Sequence, residues 1–103
     1  MRFEIVMAPE AAADFRRLRA NMRATVRSAI ERHLRHQPAK TSKSRIKRLR
    51  GLSRPQYRLR VGEVRVFYDA TEGAVEILAI VSKTDAAAWL RQTGVSDEGS
   101  GAV

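Results

Sequence analysis

Apolar and charged positions alternate most regularly over residues 57–69, Y-R-L-R-V-G-E-V-R-V-F-Y-D. Period-2 alternation on both sides of Gly62-Glu63 predicts a hairpin closed by a Gly-first, type II′ two-residue turn. With those two residues as the loop, Val61 stands opposite Val64, Arg60 opposite Arg65, Leu59 opposite Val66, Arg58 opposite Phe67 and Tyr57 opposite Tyr68. Successive strand side chains point to opposite faces. Tyr57, Leu59, Val61, Val64, Val66 and Tyr68 therefore make one apolar face, and Arg58, Arg60 and Arg65 share the other with Phe67.

Around this hairpin the pattern predicts a mixed domain. Residues 2–7 (R-F-E-I-V-M) alternate as an edge strand with Phe3 and Ile5 inward. Pro9 suits the first position of a helix and Glu10 its first turn. Ala11, Phe15, Leu18 and Met22 form one apolar stripe, with Arg16, Arg17 and Arg19 outside it. A break near Ala20-Asn21 separates this from a second helical pattern through Met22, Val26, Ala29, Ile30 and Leu34, stopped by Pro38; a single bent helix is the alternative. Residues 37–56 form a basic connector in which Ile46, Leu49 and Leu52, at helical spacing, predict one ordered turn stopped by Gly51. Residues 75–81 (V-E-I-L-A-I-V) are nearly continuously apolar, as in a strand covered on both faces. Ser82 or Thr84 caps a last helix carrying Trp89 and Leu90 and ending at Gly94. The sum is an α+β fold over 1–94: an antiparallel sheet of about four strands, an N-terminal helical hairpin on one face, a short C-terminal helix, and a disordered tail at 95–103.

Charge adds a partner to this picture. The 103 residues hold twenty Lys and Arg against eleven Asp and Glu, a formal charge of +9, which points to nucleic acid, an anionic membrane surface or an acidic protein. The preference for arginine favours bidentate phosphate recognition, although a G+C-rich genome gives the same bias. Arg60 against Arg65 places like charges opposite each other, which destabilises a sheet unless something compensates; a phosphate would do so. Lys47, Arg48 and Arg50 of the connector lead into the hairpin and would present charge to the same ligand. The absence of cysteine excludes disulfides and thiolate chemistry. His33 and His36 stand three apart without a supporting carboxylate, so neither a metal nor a cofactor is expected. Arg23, Arg27, Arg32 and Arg35 read as a solvated helix face. No signal-peptide core or membrane-length apolar run occurs, which fits a cytoplasmic protein.

The order strand, two helices, basic connector, three strands and short helix, with Leu49-Arg50-Gly51, the 57–68 segment and Ser82-Lys83, resembles the RelE/ParE superfamily of bacterial type II toxins. The resemblance runs over about residues 3–90. In the RelE branch it implies a ribosome-dependent mRNA endonuclease neutralised by a cognate antitoxin, which brings an acidic segment and mediates any contact with operator DNA. That branch's chemistry rests on two basic residues of the second strand and an arginine of the third, which fall on Arg58, Arg60 and Arg65. It also uses a base after the last strand, for which Lys83 is nearest, and an aromatic residue in the final helix, a slot that falls on Leu90 with Trp89 beside it. In the ParE branch the same fold inhibits DNA gyrase. A third possibility is a catalytically weak toxin that serves its antitoxin as a co-repressor.

RNA cleavage of this kind needs the 2′-OH to attack phosphorus, a base for its proton, cations for the developing charge and an acid for the leaving oxygen. Arg58, Arg60 and Arg65 suit the charge but not the base, because arginine stays protonated. That leaves Lys83, a connector lysine such as Lys47, or substrate-assisted transfer. Phe67 and Trp89 are candidates to stack on bases, with packing as the other reading of both.

Overall fold

The computed structural model describes residues 1–96. Its elements in chain order are β1 (Glu4–Met7), α1 (Pro9–Arg17), α2 (Ala20–Leu34), β2 (Ile46–Arg48), β3 (Leu52–Arg54), β4 (Tyr57–Val61), β5 (Val64–Thr71), β6 (Ala74–Ser82), α3 (Ala86–Thr93) and β7 (Val95–Ser96). Five strands make the main sheet in the order β1-β6-β5-β4-β2. β1 lies parallel to β6, and the other pairs are antiparallel. β3 and β7 form a separate two-stranded sheet. The architecture is the mixed α+β arrangement that the pattern predicts.

The hairpin register is the one read from the alternation, from Tyr57 opposite Tyr68 to Val61 opposite Val64. Gly62 has φ 58°, and among the described residues no non-glycine residue has positive φ. Positive φ at the first loop residue alone is the type II′ signature; a type I′ turn would need it at Glu63 too. The apolar face of the hairpin is buried with Ala11, Val26, Ile30 and Leu34 of the two helices and Val75, Ile77 and Ile80 of β6. Tyr68 stacks on Tyr57 with ring centroids 5.4 Å apart. Its hydroxyl donates to the Pro38 carbonyl at 2.6 Å, which ties the start of the connector to the core.

Four expectations are corrected. The helix break falls at Leu18-Arg19, both extended, because the Arg23 guanidinium donates to the Leu18 carbonyl and fixes the chain reversal there. The connector contains no helical turn at 46–52. Ile46 is buried on β2, Leu52 opens β3, and Arg50-Gly51 turn between them, so the helical spacing of Ile46, Leu49 and Leu52 is a coincidence of three residues in different elements. The main sheet consequently has five strands. Val95-Ser96, read as the start of a disordered tail, pair with β3; residues 97–103, the rest of that tail, lie outside the described residues.

Three of the four arginines read as a solvated face are used by the fold. Arg23 caps α1, Arg27 lies over the Phe15 ring at 5.3 Å, and Arg35 pairs with Glu31 while donating to the Phe3 carbonyl at 3.0 Å. The Arg32 side chain forms no hydrogen bond, ion pair or ring contact among the described residues.

Candidate functional site

The sheet face turned away from α1 and α2 is divided along its length. Residues paired across antiparallel strands share a face, so two rows can be read from the registers. Lys47, Arg58, Phe67 and Ala79 form one row, and Arg60, Arg65 and Val81 the next. The second row extends past β4 to Arg45, whose carbonyl accepts the Arg60 N–H at 2.8 Å. Strand pairing thus brings Arg58, Arg60, Arg65 and Lys47 together. Among the described residues no carboxylate pairs with any of them.

Each arginine of this cluster is held differently. Arg65 Nη1 donates to the carbonyls of Gly62 at 2.8 Å and Val64 at 3.1 Å, so its guanidinium is braced against the hairpin turn. Arg58 Nη2 donates to the Ser44 carbonyl at 3.3 Å, while its Nε is buried and has no hydrogen-bond partner among the described residues. Burial first, then the positive charges of Arg65 and Arg60, push the Arg58 pKa below the ordinary guanidinium value. It remains a cation at neutral pH. Arg60 is exposed, and its side chain forms no hydrogen bond or ion pair among the described residues. A buried donor left unsatisfied within a crowd of like charges is unfavourable on two counts, and an oxyanion relieves both.

The other predicted residues divide. Lys83 comes to the turn end of the face: its N–H donates to the Glu63 carbonyl at 2.7 Å, and its side chain is exposed. Arg50 lies in the exposed turn between β2 and β3. Arg48 is on the opposite face. It is paired with Tyr57 in register, stands 5.4 Å from that ring, and donates to the carbonyls of Leu49 and Gln56. Arg48 therefore closes the core edge rather than joining the basic cluster. Phe67 is 0 % exposed, so the reading of it as an open base-stacking platform is corrected. Its ring stacks on Trp89 at 4.9 Å and 12°, and that contact is how α3 covers the middle of the face. Trp89 is half-buried and lines an apolar cleft of about 260 Å³ with Pro9, Pro55 and Leu78.

Beyond Phe67 the charge reverses. Asp69, 8 % exposed, stands opposite Glu76 and accepts the Gln56 N–H at 2.7 Å. Arg54 lies 3.8 Å from Asp69 and 3.3 Å from Glu76. Burial pushes the Asp69 carboxyl above its ordinary pKa, opposed by the Gln56 hydrogen bond and by Arg54. This network pins the connector to β5 and β6 and sets an acidic patch at the end of the sheet away from the hairpin turn. Sequence reading passed over it because Arg54 looked like one more connector charge.

No curated protein matches the chain in sequence. In fold it is similar to solved toxin-antitoxin structures. A chain of the RelBE2 toxin-antitoxin complex of Mycobacterium tuberculosis superposes with TM-score 0.62 at 20% identity, over 80% of this chain and 99% of that one. A chain of the RelE–RelB complex of the archaeon Pyrococcus horikoshii gives 0.61 at 19% identity, over 81% and 97%. The YoeB dimer of Staphylococcus aureus gives 0.56 at 19%, over 79% and 97%. No helix among the described residues is long and apolar enough to cross a membrane. The family model for the ParE toxin of parDE type II toxin-antitoxin systems matches residues 5–86, and by that match the chain belongs to this toxin family, within the RelE/ParE superfamily.

Proposed function

We propose that this toxin is a ribosome-dependent endoribonuclease that cuts translated messenger RNA in the cytoplasm, with the guanidinium cluster supplying the positive charge. The observation that carries this reading is the gathering of Arg58, Arg60 and Arg65 on one face with no carboxylate among them, and with the buried Arg58 Nε unsatisfied. Arg58 and Arg60 grip the non-bridging oxygens of one phosphodiester, and Arg65, braced on the turn, faces the charge that grows in the transition state. The RNA's own 2′-oxygen attacks phosphorus, forming a 2′,3′-cyclic phosphate and breaking the bond to the 5′-oxygen. The 2′-OH proton passes to the uncharged amine form of Lys47, beside Arg58, or of Lys83, beside the turn, or to an oxygen of the phosphate itself, and the group that takes it returns a proton to the departing 5′-oxygen. The ribosome orients the message, so that alignment supplies much of the rate. A cognate antitoxin neutralises the toxin by laying an acidic segment over the cationic face and links it to operator DNA; similar folds have been solved as toxin-antitoxin complexes.

A second reading is inhibition of DNA gyrase, favoured by the ParE family match and by an arginine cluster without a histidine or carboxylate for acid–base work. Mapping RNA 5′ ends after brief expression separates the two. The nuclease reading predicts new 5′ ends within codons of translated messages and unchanged supercoiling by purified gyrase. Loss of supercoiling with no new 5′ ends would replace it with the gyrase reading.

A further inference from the structure

Behind the β2 edge lies a second cationic recess. It measures about 210 Å³ and is lined by Arg32 and His33 of α2, Gln37, Lys40 and Ser42 of the connector, and Arg45. That is room for a phosphate group and several waters. None of Arg32, Lys40 or Arg45 forms an ion pair among the described residues, whereas the other arginines of the outer face of α2 are occupied by the fold. The walls are built rather than loose. The connector is anchored at Pro38 by the Tyr68 hydroxyl, and the Ser42 hydroxyl accepts the N–H groups of Arg45 and Ile46 at 3.0 and 3.2 Å, folding the chain back over the recess. Burial, then Arg45 and Arg32, hold His33 below the ordinary imidazole pKa, which places it within the field of both. Arg45 also lines a polar hollow with Ser44, Arg60 and Gly62. One arginine thus joins the recess to the guanidinium face.

We propose that the recess formed by Arg32, His33, Lys40 and Arg45 is a second phosphate subsite, which takes the backbone of a single-stranded nucleic acid as it leaves the Arg58–Arg60–Arg65 face over the β2 edge. The inference rests on the reading of that face as an RNA site and extends it: the ligand is a strand several nucleotides long, gripped at two separated places and bent round an edge strand. Backbone phosphates suit such a track because each contributes the same charge whatever the sequence.

The test is binding of fluorescent oligoribonucleotides, a trimer and a dodecamer, to the full chain. The proteins are wild type, Arg60→Ala, Arg32→Gln/Lys40→Gln, and Arg16→Gln/Arg19→Gln, the last removing equal charge from exposed positions in the last turn of α1 and in the break that follows it. The expected result is that Arg32→Gln/Lys40→Gln weakens dodecamer binding at least tenfold and leaves the trimer unchanged. Its salt dependence should flatten by about 0.7 in log–log slope per lost contact. Arg16→Gln/Arg19→Gln should change dodecamer binding less than threefold, and Arg60→Ala should weaken both ligands. Wild-type dodecamer affinity in Arg32→Gln/Lys40→Gln, or an equal loss in Arg16→Gln/Arg19→Gln, overturns the subsite and leaves the guanidinium face standing. Equal binding of both oligomers by wild type and Arg60→Ala overturns the face, and the subsite with it. If Arg32→Gln/Lys40→Gln loses only a glutamate-rich peptide and keeps the RNA, the recess receives an acidic protein segment and the proposal is wrong.

Discussion

Arg58, Arg60 and Arg65 are chemically identical but stand in different circumstances, and these decide what each substitution reports. Arg65 braces the turn through the Gly62 and Val64 carbonyls, so Arg65→Ala loosens the hairpin as well as removing charge. Arg60 has no such anchor, and Arg60→Ala is expected to leave the melting temperature within about 2 °C of wild type, as for a surface substitution. Tyr68→Phe should behave in the opposite way. It leaves the Pro38 carbonyl without its donor, costing about 2 kcal/mol at roughly 4–8 °C of melting temperature per kcal/mol. Asp69 carries a pH dependence whose sign follows from its raised pKa. The folded state binds this proton more tightly than the unfolded chain, so the group's contribution is fully present below the unfolded value near 3.8 and is lost as pH rises through the folded one. Asp69→Asn should therefore gain on wild type between pH 3.5 and pH 7 in thermal melts. A relative loss over that interval would show that the carboxylate, with Gln56 and Arg54, is net stabilising when ionised.

At the level of elements, legibility followed alternation. The hairpin register could be read residue by residue because strict period 2 leaves one assignment that keeps all six apolar side chains together. The Gly62 turn came with it. Its positive φ means that Gly62→Ala, though it meets open space, should cost about 1–2 kcal/mol, seen as a lower denaturation midpoint. β2 and β3 were not legible, because strands of three residues rich in charge carry too little pattern and their apolar residues fell at helical spacing by chance. The misplacement of Arg48 follows from the same gap: without the β2–β4 register nothing in the sequence says which face it takes. Trp89 could be recognised as an anchor, but its partner could not, since the Phe67 stack is made by α3 folding back over β5. Trp89→Ala should uncover Phe67 and cost about 3 kcal/mol, seen as a lower denaturation midpoint.

Over the whole molecule, a charge of +9 is spread unevenly. Glu31 pairs with Arg35 at the end of α2, and Asp69 and Glu76 lie against Arg54 at the far end of the sheet. Arg58, Arg60 and Arg65 gather on the hairpin, and Arg32, Lys40 and Arg45 behind the β2 edge, with no ion pair among the described residues. The sequence showed the excess and half of its location, the hairpin, because that half is local. The recess at Arg32 and Arg45 joins a helix end to a connector and is a product of tertiary folding alone. The central claim is that the guanidinium face acts on RNA, and a purified translation system with primer extension tests it most directly. Wild-type toxin should produce cuts within the codon occupying the ribosomal A site, and Arg60→Ala, folded by its melting curve, should reduce them at least a hundredfold. Undiminished cutting by Arg60→Ala, or no cutting by wild type on programmed ribosomes, would contradict the account.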